Sequence, residues 1–353
     1  MTHSMKRFSL FALALVFMGQ GCLSGSGADG DDGALWVTPD SGKGWTQLHA
    51  LPQTESVSSI AGVNVTAIEI DPSDHTAWYM GTEANGLFHS LDNGQTWARP
   101  ENGDVKEGWI IDVEVHPSSV CTTWVMKPTG IYKSSDCVRT YERTYAEGRD
   151  DETLTSLALD WFNPNVLYAG TSAGDILKSS DGGRSWANIH NVNDEITSIE
   201  VSNRDSRVIL VGTEDKGLWR SVDSGANWRE HEDELNKVFK SSDTVYGFTQ
   251  TRDGTMVIMN TEFGLLRSRD AGNTWEAVSQ LASGRDLRIW SIAIDPEAPD
   301  RIYYGTQGTF YSTETAGSSW SAEAMPSTRA PKALLVHPSV RDNVIAGFAA
   351  IED

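Results

Sequence analysis

Positive charge is scarce in this sequence. Against 49 Asp and Glu stand 28 Lys and Arg, so the 353-residue chain carries a net charge of −21 at neutral pH. A body this acidic repels phosphate backbones and anionic lipid surfaces, which excludes nucleic acid as a partner; solubility is the plainer consequence of the charge. Long apolar runs are scarce too. The stretch Phe8 to Phe17 is too short to span a bilayer as a stable helix, and no other segment comes near that length. The eight histidines are scattered without ligand spacing, and no Gly-x-Ser-x-Gly or phosphate-cradling loop occurs. Neither a metal, a cofactor nor an activated serine is expected. Cysteine is limited to Cys22, Cys121 and Cys137.

What the chain has in quantity is Gly (32 residues) and Trp (13 residues), a mix suited to short strands and tight turns. An eight-residue pattern, Ser/Thr-x-Asp-x-Gly-x-x-Trp, stands at Thr38–Trp45, Ser90–Trp97, Ser179–Trp186, Ser221–Trp228 and Ser268–Trp275. Two degenerate copies complete the series. Ser134–Tyr141 has lost the Gly and ends on Tyr, while Thr313–Trp320 has Thr315 in place of the Asp. The aromatic ends fall at 45, 97, 141, 186, 228, 275 and 320, which is one repeat period. Before each copy come short β-branched and aromatic runs such as VTAIEIDP and TAWYMGT, punctuated by Asp-Pro, His-Pro and Gly-Thr. The order reads as strands A, B and C, the eight-residue turn, then strand D, which is one propeller blade. The segment after residue 33 supplies only strands C and D, and residues 332–348 supply only A and B. The expectation is an all-β, seven-bladed β-propeller over 34–353 whose N- and C-terminal strands share one blade and close the ring.

The turn aspartates Asp40, Asp92, Asp136, Asp181, Asp223 and Asp270 are read as structural, because equivalent copies pointing in seven directions cannot form one site. Cys121 at the start of a B strand and Cys137 in the following C–D turn lie at one end of a hairpin. A disulfide between them is expected to clamp the blade in place of its degraded turn.

The repeat resembles the Asp-box, or BNR-type, repeat shared by sialidases, endo-xyloglucanases, sortilin and the photosystem II stability/assembly factors. The resemblance implies the fold more strongly than any activity. The sialidase Arg-Ile-Pro motif is absent, and the single ring is most similar to the assembly factors, which implies a binding scaffold. The N-terminus resembles a bacterial lipoprotein signal: Lys6 and Arg7, the apolar run, then Gly21-Cys22. Residues 1–21 are expected to be removed, Cys22 to receive a lipid, and residues 22–33 to act as a flexible linker. This places the protein at an outer membrane, or in the periplasm or outside the cell, touching membrane through its lipid only.

The A–B turns and Asp turns should share one face, leaving the B–C and D–A loops around the channel mouth, where propellers usually bind. Candidate D–A loops are 98–108, 142–153, 229–244, 276–288 and 321–331; the longest carries Lys237, Phe239, Lys240 and Asp243. Trp109, Tyr246, Arg288 and Trp290 stand where A strands begin, and Glu83, Glu214 and Glu262 follow a repeated Thr in B–C loops. Asp150, Asp151 and Glu152 add carboxylates. Such aromatics can stack on a sugar or grip a peptide. The leading expectation is therefore a monomeric, non-catalytic scaffold binding a protein or glycan at the cell envelope. The alternative is a glycoside hydrolase or lyase acting on an extracellular polysaccharide, which needs two of these carboxylates across the mouth.

Overall fold

Turns this short between extended runs allow only antiparallel hairpins, and the chain follows them. The computed structural model describes residues 31–53, 57–101, 103–281 and 288–351; Cys22, the signal segment and most of the linker lie outside them. Seven small antiparallel sheets form a closed ring. Their innermost strands are Val65–Ile70, Asp112–Val115, Leu154–Leu159, Ile196–Val201, Val245–Gln250, Ser291–Asp295 and Ala330–Val336. The closing blade runs outward from Ala330–Val336 through Val344–Ala349 to Ala34–Thr38 and Thr46–Leu48, with Trp36 opposite Ala346. Hydrogen bonds across sequence ends thus seal the sheet that would otherwise leave two edges open.

The Gly-Thr pairs ending the B strands have two separate jobs. The Gly makes room for the neighbouring blade: a Cβ on Gly170 would stand 2.5 Å from Ile196 Cγ2, and one on Gly81 2.9 Å from Ile110 Cγ2. The Thr, buried, closes the B–C turn. Thr82 donates its hydroxyl to Gly86 O (2.7 Å) and Thr213 to Gly217 O (3.1 Å), and Thr261, which follows Asn260 instead of Gly, donates to Gly264 O (2.9 Å).

The eight-residue turns are built alike. Asp181 Oδ1 accepts the Ser185 N–H (2.9 Å), and the buried Ser179 hydroxyl donates to Asp181 while accepting the Gly183 N–H (2.9 Å). Two successive residues take positive φ, here Gly182 and Gly183. The first of them donates its N–H to the A–B turn of the same blade, as Asn93 does to Thr76 O (3.0 Å) and Gly182 to Asn165 O (2.8 Å). That bond puts both turn types on one face. Ser179→Ala is expected to cost about 1–2 kcal/mol in urea unfolding, since it orphans a buried N–H as well as deleting a bond.

Three features depart from expectation. Cys121 and Cys137 are disulfide-bonded, but the bridge does not replace its turn. Ser134 and Asp136 still make the usual hydrogen bonds, to Val138 N (3.1 Å) and Thr140 N (2.9 Å), and Val138 adopts φ 66° where other blades have Gly. The bridge therefore reinforces a turn carrying a β-branched residue in the left-handed region. Second, the blade of Val65–Ile70, Trp78–Thr82 and Leu87–Ser90 lacks a full outer strand and has only the His89–Ala98 bridge there. A hairpin, Ala50–Pro52 with Val57–Ser59, lies alongside, its Ala50 O accepting the Trp97 N–H (2.9 Å). Third, the loop 229–244 holds a helix, Glu232–Val238, whose first turn is acidic and whose Leu235 is buried. Its helical period was hidden by the charged run that suits a helix N-terminus.

Candidate functional site

The closed B–C turns aim their next residue at the channel mouth, and ring closure sets the last blades beside the first. A cavity of about 390 Å³ opens there, lined by Glu83, Trp109, Arg288, Trp290 and Lys332 together with Thr66 and Ile111. Four residues singled out from sequence thus meet in one place. Trp109 is 49% exposed, which is unusual for an indole and leaves its surface available for stacking. Arg288 lies over the Trp290 ring (4.2 Å to the centroid) and over Tyr246 (5.1 Å); Lys332 also lies over Trp290 (4.4 Å). These are cation–π contacts that hold the rings and cations as one stack.

Glu83 is held from behind. Asn64 donates to its carboxylate (2.6 Å), while the Asn64 carbonyl oxygen accepts from Arg329 (2.6 Å) and from the Ala350 N–H (2.9 Å). Arg329 is itself anchored by Asp32 (2.9 Å), so a chain of fixed groups runs from the closing blade to Glu83. Glu214 and Glu262 do not line this cavity. They are exposed near Tyr246, whose phenol is pushed up mainly by burial, with Arg288 pulling it back and Glu262 and Glu214 pushing further.

Of the other expected carboxylates, Asp150 and Asp151 are exposed and Glu152 is committed elsewhere. Glu152 pairs with Arg149 (2.7 Å), which also holds Glu147 (2.9 Å) and Asp175 (2.7 Å). His116 and His337 stand in A–B turns where another blade has Asp71: their Nδ1 atoms accept the N–H of Ser118 (3.2 Å) and Ser339 (3.2 Å), as Asp71 Oδ1 accepts that of Ser73 (2.8 Å). Burial pushes both imidazoles down, which keeps those nitrogens free to accept. Among the described residues no group of His, Cys, Asp and Glu is arranged to hold a metal ion, and no helix is long and apolar enough to cross a membrane.

Sequence reasoning expected a channel but missed the acids that line it. Below the mouth, Glu69, Glu114 and Glu200 line one cavity of about 290 Å³ with Trp161, Phe248 and Gln250. Each is reached by channel solvent yet walled in by protein. Burial, with the charges of Asp112 and Glu200 nearby, pushes Glu69 up to about 8. Burial pushes Glu114 well up, Glu200 up to about 7 against the hydrogen bond from Gln250, and Asp112 up to about 6. Asp112 meanwhile accepts the Leu157 N–H of the next blade (3.1 Å). The available signal was an acid at the same point of three apolar strands, in VTAIEI, IIDVEV and ITSIEV.

No protein-family model matches the chain. It is 27% identical over 199 residues to a xyloglucanase of Hypocrea jecorina, covering 54% of this chain and 23% of that protein. It is 25% identical over 266 residues to a xyloglucanase of a Paenibacillus species, covering 69% and 24%. The chain therefore spans about a quarter of the length of these relatives. Among solved structures, a GH74 xyloglucanase from Xanthomonas campestris superposes with a TM-score of 0.65 at 18% identity, covering 81% of this chain and 51% of that one. YCF48 from Cyanidioschyzon merolae superposes with a TM-score of 0.59 at 14% identity, covering 81% and 95%. These likenesses establish the propeller fold.

Proposed function

We propose that the chain is an exported, glycoside hydrolase-type propeller that receives an extracellular polysaccharide across its channel mouth. The carrying observation is one cavity that joins two tryptophans, Trp109 and Trp290, to the positioned carboxylate Glu83. It occurs in a chain whose sequence relatives are xyloglucanases. A sugar ring offers an apolar C–H face that stacks on indole, while its hydroxyls need polar partners at the rim. Hydrolysis takes two carboxylates about 5–10 Å apart, one protonated and one ionised. Glu83 is one of the two in this reading, and Glu214 or Glu262, on the Tyr246 side, is the other. The N-terminal segment and the disulfide support export, because the bridge needs an oxidising compartment.

The test is binding to xyloglucan and other β-glucans by affinity electrophoresis, together with release of reducing ends. Trp109→Ala and Trp290→Ala are each expected to weaken binding about tenfold, which is about 1.4 kcal/mol. Glu83→Gln should keep binding and lower turnover by at least about a hundredfold. A wild-type protein that neither retards on any β-glucan nor releases reducing ends ends this reading.

A further inference from the structure

We propose that Glu83 is the base or nucleophile of the hydrolytic pair and not its acid, and that Asn64 is the positioning residue that fixes it in that role. This deepens the hydrolase reading and rests on it.

The amide of Asn64 has two unlike ends, and its surroundings allow one orientation. Arg329 Nη1 (2.6 Å) and the Ala350 N–H (2.9 Å) both approach its Oδ1. A guanidinium and a backbone N–H can only donate, so the oxygen faces them and the Nδ2 hydrogens face the other way. What stands there is Glu83 Oε2, at 2.6 Å. The same two residues are joined again through the backbone, where the Glu83 N–H donates to Asn64 O (3.0 Å). An end that can only donate is met by a group that accepts, as a carboxylate does. An acid would have to bring a hydrogen of its own.

The far end of the relay keeps Asn64 from turning. Arg329 donates from Nε to Asp32 Oδ1 (2.9 Å) and from Nη1 to Gly62 O (3.1 Å). Asp32 Oδ2 accepts from the Thr328 N–H (3.1 Å) and hydroxyl (2.8 Å). Gln47 donates to Asp31 O (2.9 Å) and Gly33 O (3.0 Å), and a Cβ on Gly33 would stand 2.8 Å from Arg329 Nη1. Residues 31–33 are thus tied into the loop that leads to Ala330–Val336, and Glu83 is oriented before any sugar arrives.

In the reaction Glu83 takes a proton from the water whose oxygen bonds to the anomeric carbon, or bonds to that carbon itself. The bond from the carbon to the leaving oxygen breaks, its electron pair stays on that oxygen, and the second carboxyl supplies the proton. Where Glu83 has bonded, water then opens the ester and gives its proton to the second carboxylate.

The experiment compares turnover of the full exported chain on a β-glucan oligosaccharide and on its dinitrophenyl glycoside, whose phenolate leaves without a proton. Glu83→Ala is expected to lose at least about a hundredfold on both. Azide should restore at least about tenfold on the aryl glycoside, its nitrogen bonding to the anomeric carbon as the phenolate leaves and giving a glycosyl azide. Asn64→Asp keeps an oxygen for Arg329 and Ala350 but turns an acceptor toward Glu83. It should lower kcat at least about tenfold on both substrates with KM within about twofold, at a wild-type circular dichroism spectrum. A Glu83→Ala protein that cleaves the aryl glycoside at the wild-type rate while losing the oligosaccharide has lost an acid, which overturns the inference and leaves the hydrolase reading standing. So does loss on both substrates without azide rescue, or wild-type turnover by Asn64→Asp. A wild-type protein that cleaves neither substrate overturns both.

Discussion

At pH 8, Glu69→Gln is expected to make the protein more stable than the wild type, and at pH 5 to make almost no difference. Burial in the channel and the neighbouring charges of Asp112 and Glu200 push the Glu69 carboxyl up to about 8, from an ordinary value of 4.5. Between those two values the folded chain holds a proton that the unfolded chain has lost, so stability falls as pH rises through that window. The penalty is absent below about 4.5 and complete above about 8. Glu114 and Glu200 act in the same sense, Glu200 over a window ending at about 7. Each tenfold difference in proton affinity between the folded and unfolded chain corresponds to about 1.4 kcal/mol. Channel water screens part of that, so a gain on the order of 2 kcal/mol is expected for Glu69→Gln at pH 8.

The buried histidines work in the opposite direction. Burial holds His89, His190 and His337 below their ordinary value, so their contribution rises with pH until about 6.5. Comparing variant with wild type at each pH removes that background. Urea unfolding at pH 5 and pH 8 is the measurement. A Glu69→Gln protein destabilised equally at both values shows that the channel carboxylates do not repel one another as described.

Gly170→Ala should be among the most damaging single-methyl additions in this protein, costing about 3 kcal/mol. Its backbone is ordinary, since Gly170 is not among the residues with positive φ. The penalty lies between blades: the new Cβ would stand 2.5 Å from Ile196 Cγ2 and 2.9 Å from Ile196 Cβ, both on the first residue of the next inner strand. Ile196 is fully buried, and close-packed interiors do not absorb an overlap of that size. Ile196→Ala costs several kcal/mol alone by leaving a cavity. The double variant should therefore be at least about 1 kcal/mol better than the sum of the two, because each change relieves the other. Strict additivity in thermal or urea unfolding would mean that the Gly-Thr glycines are not what sets the blade spacing.

The two expectations bracket what a sequence of this kind reveals. The eight-residue turns were legible because every interaction in them is local: Ser179, Asp181 and Gly183 lie within five positions of one another. Ring closure was legible from which strands the two ends of the repeat array supply. The pairing of Cys121 with Cys137 followed from hairpin geometry and from the expected lipidation of Cys22, although the survival of the Ser134 and Asp136 hydrogen bonds did not. The helix Glu232–Val238 was missed, because a seven-residue element shows too little of its period.

The sequence by itself determined the number of blades, the strands that close the ring and the face on which each turn lies, since those follow from repeated short-range bonds. Only the tertiary structure decided which side chains meet. Glu83 and Trp290 stand more than 200 positions apart and share a cavity because a ring places its last blades beside its first. Glu69, Glu114 and Glu200 come from three blades and face one cavity because all inner strands border the same channel. A period of one blade says nothing about which of its copies look at one another across the axis; that depends on ring closure, a property of the whole chain.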